Sequence, residues 1–260
     1  MHIIYFILAV LEGFTEYLPI SSTAHLILAG KILAIDLVDP YVKFYLLFIQ
    51  LGALLAGAIL FTKRILTDRS LLINLIVSFI PTAIIGFALY KVFKQLLEGN
   101  LPLIAAMLAI GGFVFIYLEK VFIPKMMAMG QGERTVLTIK DAAIVGIAQA
   151  IAIVPGVSRS GVTIVAGVLL GLKKTAIFEY TFFLALPTLG AAVAYDAFKS
   201  RDTLAAISSY SDLVLGFAVA AVVGFFTLLV VRKYLARLSL TGFGWYRIVL
   251  AAIIIAIIFT

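Results

Sequence analysis

The sequence predicts an all-α polytopic membrane protein: an inverted-topology repeat with about six transmembrane helices and two re-entrant helix-loop-helix hairpins. Three observations carry that prediction. Of the 260 residues, 64% are hydrophobic and only 13% charged, and the mean hydropathy is +1.19; soluble domains use roughly 45–50% apolar and ~25% charged residues. Six apolar runs (43 to 62, 71 to 92, 101 to 122, 175 to 198, 211 to 231 and 244 to 260) each approach the ~20 residues that a bilayer crossing needs. Two further apolar stretches, about 3 to 33 and 139 to 171, are interrupted centrally by LPISSTAH and VPGVSRSGVT.

No charge block, proline-rich tract or Gly/Ser linker divides the chain, so a single membrane domain over 1–260 is expected. Zero cysteines exclude disulfides, thiolate catalysis and thiolate metal sites. In a soluble protein the net charge of +7 would suggest nucleic acid; here the basic residues fall between apolar runs and read as membrane orientation instead. The N-terminal segment does not read as a signal peptide, because Glu12 and Glu16 interrupt its apolar run and no basic region precedes it.

The broken stretches differ from the six runs. Residues 141 to 154 and 161 to 172 are each too short to cross the hydrocarbon core, but together they can enter and return. Non-helical backbone at that depth is tolerated only where protein buries it or it lines a cavity, so both breaks should point inward. The order of one broken segment and three spans occurs twice, giving repeat 1 over about 1–134 and repeat 2 over about 135–260, with a junction near Gly130 to Arg134. Local echoes support this: PISSTAH at Pro19 against PGVSRSG at Pro155, Glu12 and Gln149 upstream of each, and Pro81-Thr82 with Gly86 against Pro187-Thr188 with Gly190. A hairpin plus an odd number of crossings forces the second half in from the opposite face, so the two breaks can meet near the midplane. On this topology one face carries twelve lysines and arginines and the other six. The richer face is then cytoplasmic, and both termini and the site opening face outward.

Glu12 and Glu16 lie four apart, on one face of a helix. Carboxylates facing lipid are costly, so both should face the bundle interior. They can form a structural ion network with Arg159 or lysines, a hard-oxygen cation site, a general base, or the last two together. After Pro19, the hydroxyls of Ser21, Ser22 and Thr23 can cap the next helix, but capping accounts for one of them and not for His25 one turn on. That histidine is a satisfied buried residue or an acid, base or nucleophile. In the second break, Ser158-Arg159-Ser160-Gly161 precedes a helix, and Arg159 reads as the one basic residue deep in an apolar stretch. A guanidinium fork beside hydroxyls, glycine backbone and a helix N-terminus suits phosphate, unless Arg159 only neutralises a glutamate. Gln50 and Glu179 divide evenly between cavity lining and helix contacts. The basic pairs Lys173-Lys174 and Arg232-Lys233 read as topology anchors, and Trp245-Tyr246 beside Arg247 as an interfacial belt.

With these motifs in view, EGxxExLPISSTxH at Glu12 to His25 and PGxSRSGxT at Pro155 to Thr163 resemble the BacA-type undecaprenyl-diphosphate phosphatases. The likeness extends over essentially the whole chain, including IQLGALLA at Ile49 and FFLALP at Phe182. The resemblance implies a multi-pass plasma-membrane enzyme that hydrolyses the C55 lipid carrier diphosphate to monophosphate and inorganic phosphate, recycling the carrier for cell-wall synthesis, and a link to bacitracin resistance. It also implies a divalent cation, Mg²⁺ or Ca²⁺. The family's functional positions fall on Glu12, Glu16, Ser21, Ser22, Thr23, His25, Ser158, Arg159, Ser160 and Thr163. Ala24 stands where many members carry glycine, a methyl compatible with a helix.

The expected division of labour places Glu12 and Glu16 on the cation, with Glu16 also a base. Ser21, Thr23, Ser158, Ser160, Gly161 and Thr163 would bind substrate, and Arg159 would stabilise transition-state charge. Ser22 is the preferred nucleophile with His25 as its acid or activator, and His25 as nucleophile is the alternative. The expected partners are a polyprenyl diphosphate, membrane lipids and a second copy in a homodimer, with no nucleic acid. The rival function is a polyprenyl-phosphate flippase or anion transporter on the same fold, which needs the arginine but not a nucleophile.

Overall fold

A computed structural model describes residues 3–96, 100–130, 134–201, 204 and 210–259. The first break begins with α1 (Ile3–Thr15), whose ladder carries one residue further through a bond from Glu16 N to Glu12 O of 3.0 Å. Pro19 then ends it, because the ring biases Leu18 away from helical backbone. Ser21 turns the chain in the left-handed region, at φ 71°, and α2 (Ser22–Ile32) follows. The second break has the same plan: α8 (Ile139–Gln149), a tight 3₁₀ turn over Ala150–Ile153, and α9 (Arg159–Leu169), with Gly156 at φ 92° between them. A side chain at Gly156 would stand 2.7 Å from the Ile104 carbonyl oxygen, so only glycine lets this tip approach its neighbour. None of these four helices exceeds 13 residues. At 1.5 Å per residue the longest is about 20 Å, short of the ~30 Å hydrocarbon core.

Between and after the breaks run α3 (Pro40–Thr67), α4 (Arg69–Ala88), the short α5 (Tyr90–Leu96), α6 (Leu101–Tyr117), α7 (Ile123–Ala128), α10 (Lys174–Lys199), α11 (Ser211–Tyr234) and α12 (Leu240–Ile258). A π-helical turn over Leu118–Phe122 fuses α6 and α7 into one long helix. Among the described residues six helices are long and apolar enough to cross a membrane: α3, α4, α6–α7, α10, α11 and α12. Their starts follow the sequence. Asp39 accepts from Tyr41 N with Pro40 in the first turn, Asp68 caps α4, Asn100 caps α6 and Ser239 caps α12.

Several helices outrun the apolar runs that predict them. α3 continues through Lys63 and Arg64 because Arg64 pairs with Glu179 at 2.6 Å, which gives Glu179 a helix-bridging role. The turn after α6 keeps Glu119 because Lys174 Nζ, Ser239 Oγ and Thr241 N all donate to it, at 2.8, 2.6 and 2.7 Å. Lys174 is thus bound as well as basic. Residues 131–133 of the expected repeat junction, and 97–99 and 202 of the loops used in the charge comparison, lie outside the described residues, as do 203 and 205–209.

Packing pairs elements from the two halves: α6 on α12, α3 on α11, α1 on α11, and α4 on α8. At the α6–α12 crossing the contact is reciprocal. A methyl on Gly112 would lie 2.6 Å from the Gly244 oxygen and 2.8 Å from Ile248 Cγ1; one on Gly244 would lie 2.6 Å from the Gly112 oxygen and 2.8 Å from Ile116 Cγ1. Both α4 and α10 contain an internal proline, Pro81 and Pro187.

The base of the second break is fastened by Arg134. It gives Nη1 and Nη2 to Asp141 at 2.8 and 3.2 Å and a further bond to the Leu170 carbonyl at 2.6 Å, while its own backbone bridges Gly171 and Lys173. The Arg134 guanidinium and the Thr138 cap hold the Asp141 carboxyl down at about 2. Folded Asp141 therefore keeps its charge where the unfolded chain, near 3.9, takes up a proton. The stabilisation is present above about pH 4 and is lost as pH falls through about 2. Thermal unfolding in detergent between pH 5 and pH 2 should thus show an acid-side loss in Tm, and Asp141→Asn should start lower at pH 5 and flatten that slope.

Candidate active site

The two breaks meet. Arg159, first residue of α9, reaches across 143 positions and donates Nη2 to Glu16 Oε1 at 2.9 Å, while its Nη1 bonds the Thr181 carbonyl on α10 at 3.0 Å. Glu16 uses its other oxygen for Ser22, whose Oγ donates to Oε2 at 2.5 Å. One carboxylate thus holds the α2 hydroxyl and the α9 guanidinium together. All three face a cavity of about 210 Å³. Ser21, Thr23, Ser158 and Ser160 line it too, as do Gln50, Thr82 and Gln149, and apolar side chains such as Leu47, Phe79 and Ile153 extend it between α3, α4 and α10.

On the second tip Ser158 caps α9, accepting from Gly161 N at 3.1 Å, and its hydroxyl touches Ser160 Oγ at 3.1 Å. Ser160 also reaches the Leu18 carbonyl at 3.4 Å, a direct bond between tips. Thr163 is fully buried and returns its hydroxyl to the Arg159 carbonyl at 2.9 Å, so it steadies the turn that carries the arginine. The N-terminus of α9 adds a partial positive charge beside Arg159, which favours an anion there.

On the first tip the expected hydroxyl cap is not made: Ser21 occupies the N-cap position of α2 with no side-chain cap bond. Its left-handed backbone costs about 1–3 kcal/mol in a residue other than glycine. His25 secures it, donating Nδ1–H to the Ser21 carbonyl at 2.8 Å and accepting from the Tyr246 hydroxyl on Nε2 at 2.7 Å. His25 is therefore tied to α12, and Ser22 turns to Glu16 instead. Tyr17 locks the base of this tip to α3, donating to the Ala53 carbonyl at 2.6 Å and accepting from Gly57 N at 3.0 Å.

Glu12, one turn before Glu16, is fully buried, and among the described residues neither of its carboxylate oxygens receives a donor; its side chain meets that of Glu16. Gln149 Oε1, at the matching place in the second break, is likewise without one, although Gln149 Nε2 donates to Thr82. A buried carboxylate left without a donor costs several kcal/mol against a total stability of about 5–15 kcal/mol. Such acceptors are what a hard cation requires; among the described residues no cluster of three or more acidic or histidine side chains is present to hold one unaided.

Two residues at this centre escape the motifs. Arg247 is not part of an interfacial belt: it is 2% exposed, packed within α12, and it corrects the reading of Arg159 as the one basic residue deep in an apolar stretch. Tyr246, half exposed, holds His25. The signal in the sequence is register: Leu240, Gly244, Arg247, Ala251 and Ile254 recur at helical spacing, and all are buried. An arginine in step with glycine and alanine faces protein.

The fold and this centre define a polytopic helical membrane protein in which a serine, a glutamate and an arginine meet where two broken helices touch. The chain belongs to the family of the bacitracin resistance protein BacA, whose family model matches residues 5–253. It is 40% identical over 255 residues to an undecaprenyl-diphosphatase of Bdellovibrio bacteriovorus, covering 98% of this chain and 95% of that one. It is 39% identical over 251 residues to an undecaprenyl-diphosphatase of Aquifex aeolicus, covering 95% and 94%, and 39% identical over 249 residues to one of Thermus thermophilus, again 95% and 94%.

Proposed function

We propose that the chain hydrolyses undecaprenyl diphosphate to the monophosphate and inorganic phosphate. Family membership and full-length relatives of that activity support the reaction, and one observation carries the chemistry: Ser22 Oγ donates to Glu16 at 2.5 Å while Arg159 holds the same carboxylate at 2.9 Å. That is a nucleophile on its base, with the base oriented by a third group. A flippase or anion transporter has no use for it.

In this reading the prenyl chain follows the apolar wall of the cavity and the diphosphate reaches the tips. Arg159 turns from Glu16 to the terminal phosphate, joined by Ser158, Ser160 and the α9 amides, and the freed Glu16 takes the Ser22 proton. Ser22 Oγ bonds the terminal phosphorus as the bond to the bridging oxygen breaks, and the prenyl monophosphate leaves with that oxygen. The Glu16 proton passes to the departing monophosphate oxygen, which leaves Glu16 a carboxylate again. Water then attacks the phosphoserine phosphorus, Glu16 takes its proton and hands it to Ser22 Oγ as that P–O bond breaks, and inorganic phosphate departs. Charge spreads over the equatorial oxygens in such transfers, so positioning and electrostatics supply most of the rate. Thr163 and His25 act as positioning residues, the first for the Arg159 turn and the second for the Ser21 carbonyl.

The buried Glu12 carboxyl, with that of Glu16 one turn away, would hold a hard divalent cation. When bound, such an ion neutralises phosphate charge. Purified protein in detergent should release phosphate from a prenyl diphosphate, chelation should abolish that release, and Glu12→Gln should raise the Mg²⁺ needed for half-activity about tenfold or more. Release unaffected by chelation would remove the cation from the account.

The inverted repeat has support in the reciprocal Gly112–Gly244 crossing and in the matched prolines of α4 and α10. The re-entrant reading has support in the shortness of α1, α2, α8 and α9, and an outward-facing site and termini in the surplus of basic residues on the other face.

A further inference from the structure

Arg247 belongs to neither motif, yet it touches both tips. From α12 its Nη1 donates to the Pro19 carbonyl at 3.2 Å, in the first tip, and its Nη2 to the Gly156 carbonyl at 2.9 Å, in the second. Nη2 also reaches the Met107 carbonyl and Nε the Leu108 carbonyl, at 3.2 and 3.4 Å, and the guanidinium lies over the Phe115 ring at 5.5 Å. No carboxylate pairs with it among the described residues. We propose that Arg247 is the positioning residue that sets the distance between the two halves of the site.

Burying a guanidinium costs several kcal/mol, and apolar side chains commonly replace buried ions without loss of stability. Simple packing of α12 on α6 therefore gives no reason for an arginine here. A planar fork of five donors does: it can bond carbonyls from two separate loops and a third helix at once, which lysine's single ammonium cannot do in one plane. The carbonyls matter because both tips are irregular backbone, with Pro19 and Gly156 lying beyond any helix ladder. Bonded to one rigid group, they fix where α2 and α9 begin. Ser22 and Arg159 are the first residues of those helices. A shift of about 1 Å between such groups can cost on the order of 100-fold in rate.

This inference rests on the reading of Ser22 and Arg159 as one site, and the test separates the two. Phosphate release, its kcat and KM, and Tm are measured in detergent for Arg247→Lys and for Gly111→Ala. The second variant leaves Arg247 in place, but its methyl would overlap the guanidinium and push it off the carbonyls. The expected result is a kcat lowered about 100-fold in Arg247→Lys and about tenfold or more in Gly111→Ala, with KM within about threefold of the unsubstituted protein. Arg247→Ala should regain activity with free guanidinium, but not with methylammonium at equal ionic strength.

A folded Arg247→Lys or Gly111→Ala protein with kcat within about twofold of the unsubstituted one would overturn the proposal. So would a loss appearing only as raised KM, which would make Arg247 a phosphate contact. If Arg247→Lys does not fold, Gly111→Ala decides on the same criteria, and the reverse holds. Ser22→Ala and Arg159→Ala run alongside: activity in those would sink the site reading itself, whereas inactivity there with full activity in the Arg247 and Gly111 variants would sink only this one.

Discussion

Arg159→Ala should lower kcat for phosphate release by about 10³–10⁵-fold, the range an arginine contributes when it meets charge developing on a transferring phosphoryl group. The side chain is 14% exposed and held at two points, Glu16 and the Thr181 carbonyl, so it waits with little rotamer freedom left to lose. Losing it leaves Glu16, itself 5% exposed by side chain, with a buried charge and the Ser22 hydroxyl still donating to it. Some stability is lost as well, and the assay is therefore read per folded protein, with Tm measured beside it. Arg159→Lys should rescue little, because one ammonium cannot present two parallel donors to Glu16, Thr181 and phosphate. A Lys variant with near-normal kcat would mean that charge alone suffices.

Ser22→Ala should reduce kcat at least about 10³-fold while leaving KM within a few-fold, since the hydroxyl makes its new bond only along the reaction path. During turnover on a diphosphate labelled in its terminal phosphate, acid quenching should trap label on the unsubstituted protein, because a serine phosphoester survives acid. The label should vanish in Ser22→Ala and persist in His25→Ala. Acid-labile, alkali-stable label on His25 would instead make the histidine the nucleophile, despite its bonds to Ser21 and Tyr246.

Much of this was legible in the chain because membrane physics leaves few options. Twenty-residue apolar runs must be helices that satisfy their own backbone, and proline, serine and glycine inside apolar stretches mark backbone that something must cover. The expected meeting of the two breaks rests on repeat topology, and an ion pair of the glutamates with Arg159 or lysines is one of the alternatives that charge leaves open; Glu16 takes Arg159. Helix ends were less legible, because partners distant in sequence decide them, as Glu179 does for Arg64 and Lys174 for Glu119. Arg247 was missed for a related reason. Beside Trp245 and Tyr246 it reads as an interface anchor, and only the close Gly112–Gly244 crossing carries it inward. The hydrogen bond of Tyr246 to His25 spans 221 positions, and no local pattern announces it.

The central claim is that one phosphate is held between the tips, with Ser22 in line to attack it. A structure with a prenyl methylenediphosphonate, whose bridging carbon blocks cleavage, tests it most directly. The account predicts the terminal phosphorus within about 3–3.5 Å of Ser22 Oγ, with the Arg159 guanidinium moved from Glu16 onto its oxygens. A diphosphonate bound elsewhere, or bound with Ser22 and Arg159 both still on Glu16, would contradict it.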